Sequence, residues 1–298
     1  MKILLATDGS EYSEGAARLL TCLELTTADE IMVLHAVSWV PFQYDMESYY
    51  ESLKEIKKEI APRILDSALD ILSNVKAKIS TAIIDGSPEK YIVEIASEAG
   101  MDMILLGARG IKGVKSLLVG SVTKSVAVNS FVPVFIAKLP VCLPGRQMKI
   151  LLAVDGSEHS AAAGRYLSSL PLPPDTEIHI IHVIWSDFSD IPERFVAEIN
   201  DRIKEFVAET RSAEFRESEN ILEQARAGIG KKYRNVKTIS RVGDPSLEIM
   251  KAAEALNADC IALGCRGLKG IKGLMGSVSR NIINHSGCSV ILSRSCSD

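Results

Sequence analysis

Ten residues near the start of the chain, Lys2-Ile3-Leu4-Leu5-Ala6-Thr7-Asp8-Gly9-Ser10-Glu11, return as Lys149-Ile150-Leu151-Leu152-Ala153-Val154-Asp155-Gly156-Ser157-Glu158 with a single change. The correspondence continues downstream. His35 returns as His182 at the same offset of 147, and Gly86 as Gly243 at 157. Gly107-Ala108-Arg109-Gly110 returns as Gly264-Cys265-Arg266-Gly267 at 157, and Gly120-Ser121 as Gly276-Ser277 at 156. A period this long means one whole fold made twice, with an insertion after His182 and a single deletion before Gly276. Length agrees, since 298 residues is about two domains at roughly 150 each. Between the copies, Leu139 to Gln147 holds two prolines and a glycine without periodicity and reads as a linker. The expected units are therefore residues 1–138, a linker 139–147, and 148–298.

Within the first copy, Ile3 to Ala6, Ile31 to Val37, Lys78 to Ile84, Met103 to Leu106 and Val132 to Ala137 are short, apolar and rich in Ile and Val. Such runs suit strands buried on both faces. Helical patterns lie between them at Glu11 to Cys22, Glu47 to Leu72, Glu89 to Ala99 and Ser121 to Asn129. Ser10 is placed to cap the first helix, and Ser87-Pro88-Glu89 supplies a cap, a proline at the first position and an early acid for the third. Strands alternating with helices predict an α/β fold: two tandem doubly wound domains, each a five-stranded parallel sheet in the order 3-2-1-4-5.

Acidic residues outnumber basic ones by 38 to 34, a net charge of −4 that argues against a nucleic-acid or anionic-membrane partner. No apolar run approaches the ~18 residues of a membrane span, and Asp8 and Gly9 arrive too early for a secretory signal, so a cytoplasmic location is expected. The six cysteines form no Cys-x-x-Cys pair and read as reduced thiols, with no metal or disulfide framework.

In an open parallel sheet a ligand sits beyond the carboxyl ends of the strands where the winding reverses, here between strands 1 and 4. Strand 1 ends in Thr7-Asp8-Gly9-Ser10 and strand 4 in Gly107-Ala108-Arg109-Gly110; nine residues later Gly120-Ser121 opens the last helix. Glycines let backbone N–H groups approach a phosphate, and a helix N-terminus adds free donors and a favourable dipole. Ser121 offers a hydroxyl, Asp8 an acceptor for a ribose hydroxyl or an adenine amine, and Arg109, Lys112 and Lys115 positive charge. The same glycines also suit tight turns, but both loops at one switch point in both copies favour a nucleotide site.

Gly107-x-x-Gly110, nine residues, then Gly120-Ser121 resembles the ATP-binding signature of the universal stress protein family, as do an Asp after strand 1 and a His near the end of strand 2. The resemblance covers nearly the whole chain, as two tandem domains. It implies ATP or AMP, with or without magnesium, held around the adenosine by Ala6, Thr7, Asp8 and the backbone near Ala36. Gly107, Arg109, Gly110, Gly120, Ser121, Val122 and Thr123 would line the ribose and phosphates. The matching positions of the second copy are Asp155, Val183, Gly264, Arg266, Gly267, Gly276, Ser277, Val278 and Ser279. Only eight residues separate Gly267 from Gly276, a departure that predicts a weakened or altered second site. The resemblance also implies that the halves pair through their last strands, Val132 to Ala137 and Ser289 to Leu292, with further homodimerisation.

The motifs of several enzyme classes are missing: a Walker loop, a Gly-x-Gly-x-x-Gly after strand 1, and the S-G-G-x-D-S and H-x-G-H signatures of adenylating enzymes. A nucleotide-binding stress or regulatory protein is the leading reading, with no catalytic residue assigned and at most slow ATP hydrolysis or autophosphorylation. A nucleotidyl-transferring enzyme and a structural module with vestigial sites are the alternatives. His179 and His182, three apart on a strand, face opposite sides and make no metal pair. The mixed-charge runs Lys54 to Glu59 and Arg211 to Glu219 read as solvated helix faces or mobile segments. Tyr44, Tyr49 and Tyr50 fall in an irregular stretch after strand 2, where they suit either a site cover or a partner contact.

Overall fold

A computed structural model describes residues 1–38, 47–110, 119–185, 201–267 and 275–294. The first half contains β1 (Lys2–Thr7), α1 (Glu11–Leu20), β2 (Glu30–Val37), α2 (Glu47–Leu72), β3 (Lys78–Asp85), α3 (Pro88–Glu98), β4 (Met103–Gly107), α4 (Ser121–Asn129) and β5 (Val134–Ala137). The second contains β6 (Lys149–Val154), α5 (Glu158–Ser169), β7 (Glu177–Ile184), α6 (Asp201–Ile229), β8 (Val236–Val242), α7 (Pro245–Leu256), β9 (Cys260–Gly264), α8 (Ser277–His285) and β10 (Ser289–Ser293). The ten strands form one sheet in the order β3-β2-β1-β4-β5-β10-β9-β6-β7-β8. Neighbours within each half run parallel, and β5 meets β10 antiparallel with Val134, Phe135 and Ile136 opposite Leu292, Ile291 and Val290.

Alternation along the strands builds two cores. Ile3 and Leu5 point into one cluster with Ala16, Leu20 and Leu72 of α1 and α2; Leu4 and Ala6 point into the other with Ile92 of α3 and Val126 of α4. Each cluster runs on into the second half, reaching Leu167 and Leu222 on one face and Ile249 and Ile282 on the other. Helices therefore cover both faces, which is why the central strands carry almost no polar residue.

Local signals mostly hold. Ser10 and Ser157 accept from the N–H groups of Ser13 and Ser160 at 3.3 and 3.1 Å and cap α1 and α5. Ser87 occupies the cap of α3 without a side-chain bond, because the Lys90 N–H is taken by the Ser87 carbonyl at 3.2 Å. The linker is no loose spacer: Cys142 is buried in the core and its carbonyl accepts from the Cys22 thiol at 3.0 Å. Tyr49 and Tyr50 lie within the first turn of α2 rather than in irregular chain, while Tyr44, Lys112 and Lys115 fall outside the described residues.

Candidate functional site

Two chain segments meet beyond the carboxyl ends of β1 and β4. After β1 the Asp8 carboxylate turns back to accept from the Ser10 N–H at 3.0 Å, and the Thr7 hydroxyl lies 3.1 Å from that of Ser13. The β4 segment packs directly on this corner. A Cβ at Gly107 would sit 2.6 Å from the Tyr12 carbonyl carbon, and one at Gly110 would run into the Asp8 carboxylate. Both positions need glycine because of close approach. The Ser10 hydroxyl donates to the Arg109 carbonyl at 3.4 Å, and the Arg109 guanidinium donates to the Tyr12 hydroxyl at 3.2 Å while lying over its ring.

Helix α4 then begins at the same place. The Gly120 N–H donates to the Ala108 carbonyl at 2.9 Å, and the Thr123 hydroxyl to the Gly107 carbonyl at 2.8 Å, which locks the helix start to the strand end. Gly120 supplies no side-chain cap and the first turn carries no acid. Its leading N–H groups thus keep their capacity for an outside acceptor. Ser121 is exposed beside them, Val122 is half-buried, and Ala6 and half-buried Ala36 lie at the ends of β1 and β2. His35 is buried, with Nδ1 2.8 Å from the Thr7 carbonyl, so it braces β1 against β2.

The second half repeats this geometry. Gly264 and Gly267 would place a Cβ 2.7 Å from the His159 backbone and 2.5 Å from the Asp155 carboxylate. The Gly276 N–H donates to the Cys265 carbonyl at 2.9 Å and the Ser279 hydroxyl to the Gly264 carbonyl at 2.8 Å. Most of the shortened loop, residues 268–274, lies outside the described residues; the anchors on either side keep the dimensions of the first half. Asp155 accepts from both the N–H and the hydroxyl of Ser157, at 3.0 and 2.6 Å.

Here the corner opens into a cavity of about 990 Å³. Asp155, Val183, Gly264, Arg266, Gly267, Gly276, Ser277, Val278 and Ser279 all line it. Spacing in the sequence missed a further wall: Glu214, Glu217 and Ile221 of α6, with Trp185 after β7 and Arg280 in α8. Two of these belong to the run Arg211 to Glu219, so part of that solvated run also lines the cavity. Helix packing over the strand ends brings them there, and only the charge run itself marked the place. His182 shares this wall. Its Nδ1 lies 2.8 Å from the Ser218 hydroxyl, and burial holds its pKa below the ordinary 6.5, opposed by the nearby Asp155 and Glu217 carboxylates. His179 points elsewhere, with Nε2 2.8 Å from Glu177. Groups of both signs line the cavity: the carboxylates of Asp155, Glu214 and Glu217, and the guanidinium groups of Arg266 and Arg280 beside the start of α8.

Comparison with known proteins places the whole chain. The model of the universal stress protein family matches residues 1–138 and again 148–294. Universal stress protein YxiE of Bacillus subtilis is 32% identical over 156 residues, which cover 49% of this chain and 98% of that protein. Universal stress protein Rv2005c of Mycobacterium tuberculosis is 25% identical over 308 residues, covering 98% of this chain and 96% of its own. A universal stress protein from Archaeoglobus fulgidus shares the fold across 98% of both chains, with a TM-score of 0.66 at 24% identity.

Proposed function

Because the chain belongs to the universal stress protein family, we propose that it is a cytoplasmic regulatory protein whose halves, residues 1–138 and 148–298, each bind an adenine nucleotide. The observation that carries this reading is the cavity of the second half, lined by carboxylates, guanidinium groups and the start of α8. In it Asp155 accepts from ribose hydroxyls, and the carboxylate of Glu217, also in the wall, offers a further acceptor for donors on the ribose or base. The glycine-capped start of α8, with exposed Ser277 and the guanidinium of Arg266, takes the phosphates. A cavity volume of about 990 Å³ is at the upper end of the usual range for small-molecule sites. Asp8, Arg109, Gly120 and Ser121 make the equivalent corner in the first half.

Titration calorimetry and native mass spectrometry with ATP, AMP and NAD test the reading. Binding of ATP or AMP is expected, with stabilisation of about 2.7 kcal/mol at a hundredfold excess over Kd. A response to NAD alone overturns the assignment of ligand class. Steady ATP hydrolysis at about 1 per second or faster, within the usual range of enzymes, replaces the regulatory reading with an enzymatic one.

A further inference from the structure

Beyond the β5–β10 ladder, each half sends one cation into the other. Lys138 follows β5 and is almost wholly buried; its ammonium donates to the carbonyls of Ile283 and Ser286, both at 2.8 Å, and to the Ser286 hydroxyl at 3.0 Å. These groups close the C-terminus of α8, in the other half. Arg294 follows β10, and its guanidinium donates to the carbonyls of Ala127 and Val128 at 2.9 and 2.5 Å, in the last turn of α4. The offset of 156 that relates Gly120 to Gly276 also relates Lys138 to Arg294 and Ala127 to Ile283, so the exchange is reciprocal. Helix α4 has no basic residue of its own in its last turn, and Arg294 supplies the charge its carbonyl end favours.

The contacts close a circuit. The Gly120 N–H, at the start of α4, donates to Ala108, whose own N–H donates to Ala137, the neighbour of Lys138. Lys138 grips the end of α8. At the start of α8, the Gly276 N–H donates to Cys265, whose N–H donates to Ser293, the neighbour of Arg294. Arg294 grips the end of α4. The helices so joined are the two whose N-termini face the corners described above. The charge of Arg109 also acts on Lys138, lowering its pKa.

We propose that Lys138 and Arg294 are positioning residues exchanged between the halves, each fixing the ligand-facing helix of the opposite half, so that the two sites are completed by one another. The part concerning ligand affinity rests on the nucleotide reading; the mechanical part does not. Two measurements on the full chain keep them apart. Hydrogen exchange without nucleotide compares Lys138→Met and Arg294→Met with the unaltered protein. Lys138→Met is expected to lose protection in α8 and Arg294→Met in α4, the crossed pattern. Loss confined to the variant's own half, or no loss in either helix, overturns the proposal.

In a Trp39→Phe background Trp185, which lines the second cavity, is the sole tryptophan and reports occupancy there. Titration with AMP and with ATP is expected to give a Kd roughly twofold to tenfold higher for Lys138→Met, the range for a lost cation at a helix terminus. Arg294→Met should affect that site less, and Lys138→Arg should restore it. A Kd that moves equally in both Met variants overturns the crossed assignment. If the unaltered protein binds neither nucleotide, the functional reading fails, and the exchange pattern alone still decides the clamp.

Discussion

A methyl group on Gly107 would lie 2.6 Å from the carbonyl carbon of Tyr12, against the fixed backbone of α1. On Gly110 it would meet the Asp8 carboxylate, a side chain rather than backbone. The two substitutions should therefore fail differently. Gly107→Ala is expected to lower stability by about 1–3 kcal/mol, the usual cost of overpacking, in urea unfolding. Gly110→Ala is expected to cost less stability but to displace Asp8 and weaken nucleotide binding in calorimetry; equal losses of stability would contradict this account. Gly120 differs from both. Among the described residues, a Cβ there would approach nothing closer than 3.6 Å, so alanine should fit and a loss of affinity would report the ligand.

At the scale of elements, α6 gives the second cavity a wall for which the first half has different chemistry. Cβ atoms built at Gly9 and Gly156 both lie 3.1 Å from an isoleucine, Ile64 of α2 and Ile221 of α6, which sets the two helices in register. At that register Glu217 corresponds to Ile60 and Glu214 to Lys57, whose ammonium donates to the Ser38 carbonyl at 2.6 Å. The acidic wall thus belongs to the second half. Burial lowers the His182 pKa and Glu217 opposes that effect, so Glu217→Gln should lower it further, as followed by imidazole NMR shifts against pH. A histidine depressed on folding binds fewer protons than the unfolded chain. Its stabilising contribution is complete above 6.5 and is lost as pH falls through 6.5 towards the folded value. An upward shift in Glu217→Gln would show that the carboxylate does not act on the ring.

For the whole molecule, the telling group is the buried ammonium between the halves. Burial pushes Lys138 down from 10.5 to about 8, with Cys288 pulling it up and Arg109 pushing it further down. Between those two values the unfolded chain holds the proton that the folded chain has released. Stability from this group therefore rises with pH from about 8 to 10.5 and is lost as pH falls through that window. Urea unfolding across the window should show the unaltered protein gaining on Lys138→Met; a constant difference between them would remove Lys138 as the cause. Cys288, itself pushed by burial to about 11, faces the same junction and belongs in the comparison as Cys288→Ser.

The repeat, the strand-helix alternation and the paired glycines were legible because they depend on local chemistry: backbone conformation, helix caps, and apolar runs long enough for a strand. Asp8 and Gly110, or Asp155 and Gly267, were recognisable as candidates for the same reason, although about a hundred residues separate each pair. Glu214, Glu217 and Trp185 were not, because their part in the cavity depends on where α6 and the end of β7 lie in space. The roles of Lys138 and Arg294 were equally hidden. A basic residue after a strand has no distinctive spacing, and its partners are carbonyls that every residue carries. Local sequence determined the two folds and the corners at which their loops meet; tertiary packing alone decided what walls the cavity and which half holds which helix, since carbonyl ends and helix faces acquire partners only when distant segments are brought together.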